Sequence, residues 1–195
     1  NRAIYHTDAW YENQQDKSNE IKVRVTYKVG LKNESSYLGR INSIVDYCDK
    51  RYTLIKIGTS IDDKCNIGGN ISIGNRIDYN NEYAKYVIDV NQIVKPAETN
   101  YIYLQFEIDR AGVLSIMNNK ELFNNVAEIN SYTTFKDNNV NTPVAVIDKD
   151  SVPGNIIPGQ IDTYEDDTDA ARSLKLELKN ARAVEGTVFV DNPLN

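Results

Sequence analysis

From Ile21 to Leu31 the chain reads Ile-Lys-Val-Arg-Val-Thr-Tyr-Lys-Val-Gly-Leu, apolar at every odd position. A period of two puts all the apolar side chains on one face of an extended strand, whereas a helix would scatter them around its axis. The even positions are basic, Thr or Gly, so the second face is wet and the strand belongs to a half-buried antiparallel sheet. Tyr101 to Ile108 alternates in the same way, with Ile102, Leu104, Phe106 and Ile108 pointing inward. A chain built from such segments must stack sheet on sheet to cover its apolar faces.

Further strands are expected over 3–10, 38–47, 52–58, 70–73, 83–90, 126–135, 173–179 and 184–190. They are separated by Asn-, Gly- and Asp-rich turns such as Lys32-Asn33-Glu34-Ser35-Ser36. One short helix is expected over 111–122, where Val113, Ile116, Met117 and Leu122 fall roughly on one face. Many short strands with a single helix indicate an all-β, immunoglobulin-like antiparallel β-sandwich, with a jelly roll as the alternative.

The 195 residues, 41% of them hydrophobic, suffice for one fair-sized core. The first unit is expected to span 1–182. Residues 183–195, with Val184-Glu185-Gly186-Thr187-Val188-Phe189-Val190-Asp191, read as a linker and the first strand of a following module. The opening Asn1-Arg2-Ala3 lacks an initiator Met and a signal pattern, so the chain reads as a piece of something longer or a processed product. No apolar run approaches the ~18 residues of a membrane-spanning helix, so no membrane insertion of this segment is expected.

Charge is concentrated in one place. Between Asp148 and Asp169 there are seven acids and one base, which accounts for the whole formal net charge of −6. The rest of the chain is balanced and has no basic stripe, which argues against nucleic acid as a partner. Asp148 and Asp150 point to one side of an extended segment. Ser151 and Asn155 add oxygens, the Pro153-Gly154 and Pro158-Gly159 turns expose carbonyls, and Glu165-Asp166-Asp167 returns three carboxylates. Hard oxygens in excess, with no His or Cys beside them, suit Ca2+, which takes six to eight oxygen ligands. The expected metal ligands are Asp148, Asp150, Ser151, Asn155, Glu165, Asp166 and Asp167, with calcium the one cofactor. The bland alternative is a solvated acidic loop.

Little else suggests chemistry. His6 is the sole histidine, and no Gly-x-Ser-x-Gly elbow, phosphate loop or His-Glu-x-x-His helix accompanies it. No catalytic residue is assigned and the chain reads as a non-enzyme. Cys48 and Cys65 are too few for a disulfide framework, though they could form one bond in an oxidising compartment. Thirteen tyrosines, Tyr101 and Tyr103 on an outward face among them, leave open a carbohydrate-binding or carbohydrate-active β-sandwich.

The pattern Asp-x-Asp-Ser-x-Pro-Gly-Asn at 148–155, followed by Glu165-Asp166-Asp167, resembles the end of repeat domains in large Gram-positive surface adhesins. The strand Asn125-Val126-Ala127-Glu128-Ile129 is similar to their Asn-x-Ala-Glu strand. Tyr27 to Asn33 and Val45-Asp46-Tyr47 match earlier positions more loosely, and Glu185 to Asp191 is similar to the first strand of Sdr-type or Cna B-type modules. The resemblance implies an extracellular, cell-wall-anchored or secreted surface module, stiffened by calcium where it meets the next domain. Its partners would be adjacent domains of the same protein and, for an adhesive role, a host protein or glycan. Relatives in such proteins carry Lys–Asn isopeptide bonds. The residues here would be Lys28, Asn124 or Asn125, and Asp46 or Glu128. No such bond is expected, because Lys28 falls on the wet face of its strand, as does the Gln105 that a Cys–Gln thioester would need.

Overall fold

The structure is a computed structural model that describes residues 4–8, 22–59, 71–119, 125–145, 152–157, 165 and 167–171. It is an all-β sandwich of two antiparallel sheets with one short helix. Ten strands run in chain order: β1 Ile4–Asp8, β2 Lys22–Lys32, β3 Leu38–Asp49, β4 Tyr52–Gly58, β5 Ser72–Asp78, β6 Tyr83–Val94, β7 Thr99–Ile108, β8 Asn125–Phe135, β9 Pro143–Val144 and β10 Thr168–Ala171. The helix α1, Arg110–Asn119, lies between β7 and β8. The smaller sheet has the order β1-β2-β7-β4 and the larger one β10-β8-β3-β6-β5, with β9 added to the end of β8.

The alternation read from the sequence is realised in β2 and β7. Val23, Val25, Tyr27 and Leu31 are buried, as are Ile102, Leu104, Phe106 and Ile108, in one core with Ile44, Ile88 and Val90 from the facing sheet. Phe106 sits at its centre, with the rings of Tyr27, Tyr52 and Tyr86 at 5.7–6.2 Å from its own. Val113 and Ile116 of α1 close one end. The tight turn from β3 to β4 is held by Asp49, whose buried carboxylate takes Arg51 Nε at 2.8 Å and Arg51 Nη2 at 2.5 Å. The same guanidinium donates to Ser115 Oγ at 3.2 Å and so ties α1 to the turn.

Several boundaries differ from expectation. The strand expected at 70–73 is β5, Ser72–Asp78, which pairs with β6 as an exposed sheet edge. Its register shifts between Ile73 and Arg76, and a Cβ on Gly74 would meet the Val87 carbonyl oxygen at 2.7 Å, so only glycine fits. β6 continues to Val94 and β3 to Asp49. β9 and β10 were not expected at all. The strands expected at 173–179 and 184–190, and the boundary near residue 182, lie outside the described residues.

Candidate functional site

The described part of the acidic segment packs on the outer face of the larger sheet. Val45 and Tyr47 of β3 and Val126 of β8 point outward there, and Ile156 from the loop and Ala170 from β10 cover them. This second, smaller core explains why the last seven residues of β3, Ser43 to Asp49, are buried without alternation: both faces of the strand are covered there.

Val152 to Asn155 forms a tight turn. Gly154 has φ +83, Asn155 N–H lies 3.4 Å from the Val152 carbonyl, and Pro153 stands in the position that fixes φ for a type II turn. Two carboxylates grip this turn from different parts of the chain. Glu165 accepts Val152 N–H at 2.7 Å through Oε2 and the Asn155 amide at 2.6 Å through Oε1. Glu128, on the outward face of β8, accepts Gly154 N–H at 2.5 Å through Oε1 and the Tyr47 hydroxyl at 3.2 Å through Oε2. Glu128 is only 1% exposed. Burial raises its pKa first, and the charges of Asp167 and Glu165 raise it further, against its two hydrogen bonds. Three acids from two stretches of chain therefore share one neighbourhood.

Beyond the turn, the Asp167 carbonyl accepts Ile129 N–H at 3.1 Å and leads into β10, where Thr168 pairs with Glu128 and Asp169 with Ala127. Tyr79 donates to the Ile156 carbonyl at 3.3 Å and its ring stands edge-on to Tyr47, with Lys85 Nζ over both rings.

Of the expected ligands, Asn155, Glu165 and Asp167 are placed close to one another, whereas Asp148, Asp150, Ser151 and Asp166 lie outside the described residues. Among the described residues no three His, Cys, Asp or Glu side chains cluster as a metal site. Asn155 and Glu165 bond to each other, and that is a role the sequence did not show. The member missed in the sequence is Glu128. Its partner Gly154 lies 26 residues away, and the only local signal was a glutamate on the same strand face as Val126.

The other candidates separate cleanly. Lys28 is exposed, with Nζ 3.8 Å from the centre of the Tyr101 ring, while Asp46 and Asn125 are buried and joined at 2.8 Å. Glu128 is on the opposite face of β8 from Asn125. Gln105 donates to Thr26 Oγ1 at 3.1 Å on the outer face, and Cys48 is a buried free thiol whose pKa burial pushes up. Neither the Lys28 isopeptide nor a Gln105 thioester to Cys48 has its geometry. His6 lies in β1 opposite Arg24 in register, and Cys65 is outside the described residues. The chain matches no family model, no curated protein and no solved structure.

Proposed function

We propose that this chain is a non-enzymatic, calcium-stabilised structural or adhesive module of a bacterial cell-surface protein, with an immunoglobulin-like arrangement of its sandwich. The observation that carries the proposal is the double grip on the Val152–Asn155 turn. Glu165 and Glu128 hold it from two distant positions in sequence, with the Asp167 charge close enough to burden Glu128. In a solvated acidic loop the carboxylates repel one another weakly and nothing draws them together. This one is folded back onto the sheet, where a divalent cation turns repulsion between neighbouring carboxylates into a clamp.

In that role Asp148, Asp150, Asp166 and Asp167 supply carboxylates, and Ser151, Asn155 and main-chain carbonyls complete an oxygen shell. Glu165 orders the turn by its two hydrogen bonds and keeps lone pairs for the ion. Adjacent domains of the parent protein are the partners that the resemblance implies. The carbohydrate reading is not favoured, because the outward ring of Tyr101 already carries the Lys28 ammonium.

Isothermal titration of the chelator-treated protein with calcium tests the assignment. The expected result is saturable binding that Asp150→Ala with Asp166→Ala abolishes. Absence of binding heat in the wild type, or equal binding by the double variant, contradicts it.

A further inference from the structure

Asp46 sits at the middle of β3, paired in register with Tyr86 of β6 on one side and Ala127 of β8 on the other. Its side chain points into the core between the sheets and is 0% exposed. Asn125, at the start of β8, donates from Nδ2 to Asp46 Oδ2 at 2.8 Å. The remaining oxygens, Asp46 Oδ1 and Asn125 Oδ1, are both buried and have no hydrogen-bond partner among the described residues.

An ionised carboxylate only accepts hydrogen bonds, and so does a carboxamide oxygen. With Asp46 ionised, two acceptors on directly bonded side chains are stranded in the core, and an uncompensated charge is buried with them. One proton removes all three penalties. Placed on Asp46 Oδ1, it gives Asn125 Oδ1 the donor it lacks, turns the stranded carboxylate oxygen into a donor and cancels the charge. Acid and amide then form a closed ring, N–H to carbonyl in one direction and O–H to carbonyl in the other. We propose that Asp46 is held in the fold as the neutral carboxylic acid, ringed with the Asn125 carboxamide, as a latch between β3 and β8 that is shut in mild acid and released by base.

The surroundings favour the neutral form. Tyr27 of β2, Cys48 of the same strand and Tyr86 of β6 face Asp46 closely enough to feel its charge. None of them is cationic. The Tyr27 hydroxyl donates to Tyr52 at 3.5 Å, and the Tyr86 hydroxyl accepts Leu54 N–H at 3.2 Å. Asp49, at the end of the same strand, is matched by Arg51. Arg76 of β5, which acts on Cys48 and Tyr86, bonds to the Lys50 carbonyl and to Asp78. Burial accordingly pushes the Asp46 pKa up to about 7, with the Asn125 bond opposing it. The latch lies under the acidic loop's seat, for Asn125 pairs with Ala171 of β10.

The sign follows from proton counting. The folded pKa is raised, so the latch contributes fully below the unfolded aspartate value and is lost as pH rises through about 7. The test compares wild type with Asp46→Asn by urea unfolding in chelator, at about pH 4 and about pH 8. Asn at 46 rebuilds the ring with its own N–H, and it cannot ionise. Wild type and variant should match in acid. At about pH 8 the variant's folded-to-unfolded ratio should exceed the wild type's by on the order of a hundred- to a thousandfold. A variant weaker than wild type at the higher pH, or a pH slope equal to that of wild type, overturns the proposal. Should the variant not fold, a carbon-13 NMR titration of the wild-type Asp46 carboxyl decides. A midpoint near neutrality supports the latch, and one in the ordinary aspartate range overturns it. An intact mass lower by one ammonia also overturns it, because the Asn125 amide would then be spent in a covalent bond. Calcium is absent from every arm, so these outcomes are independent of the loop's metal chemistry.

Discussion

Glu128 takes hydrogen bonds from two partners far apart in sequence, the Tyr47 hydroxyl beneath the loop and the Gly154 amide within it. Its replacement by Ala strands the buried Tyr47 hydroxyl and frees the part-buried Gly154 amide, for which about 1–3 kcal/mol is expected. Tyr47→Phe removes one bond and leaves the acceptor with another, so about 0.5–1.5 kcal/mol is expected. Urea unfolding with an unchanged m-value measures both. The pH dependence has a definite sign. Burial, then Asp167 and Glu165, hold the folded Glu128 pKa above its ordinary value. Its contribution is therefore present below the unfolded glutamate pKa and fades as pH rises through the folded one. Glu128→Gln should flatten that slope in chelator, and calcium should flatten it in the wild type. The sequence marked Glu128 and Asp46 as acids inside strands. It did not show which was buried under a loop and which in the core, because both environments are made by chain from other parts of the sequence.

The elements were legible where a strand has one wet face. β2 and β7 could be read from alternation because the smaller sheet buries one side of each, and Val23, Val25, Phe106 and Ile108 fell where the period placed them. β5 was read only at its start, since the Gly74-Asn75-Arg76 stretch of an exposed edge strand has no apolar face to alternate. β9 and β10 are short additions that exist through pairing with β8, and Asp169 within β10 reads locally as one more acid of the loop. The Val152–Asn155 turn was legible as a turn, and its chemistry is specific. Gly154 has open space where a Cβ would go, so strain alone decides substitution there. Gly154→Ala should cost about 1–2 kcal/mol through its positive φ, with Gly154→Asn milder and Gly154→Val worse, read as a ranking of melting temperatures. In the turn from β3 to β4, Arg51→Ala removes the guanidinium from the buried Asp49 carboxylate and takes away one tie between that turn and α1. A loss of about 3–5 kcal/mol is expected from such a broken pair, measurable by the same unfolding curves.

At the scale of the molecule, two cores share β3. The larger core lies between the sheets and surrounds Phe106. The smaller lies outside the larger sheet and exists only while the acidic loop stays folded over Tyr47 and Val126. In the proposed role, a cation would stabilise the folded loop over that smaller core. Binding stabilises the folded state by RT ln(1 + [L]/Kd), about 2.7 kcal/mol at a hundredfold excess over Kd. For a domain of this size that is a rise in melting temperature of roughly 5–10 °C. Thermal unfolding in excess chelator and in excess calcium shows whether the acids gather to bind calcium. A rise of that order is expected in the wild type and none in Asp150→Ala with Asp166→Ala. Superimposable wild-type curves in the two conditions, with the double variant equally stable, would contradict it.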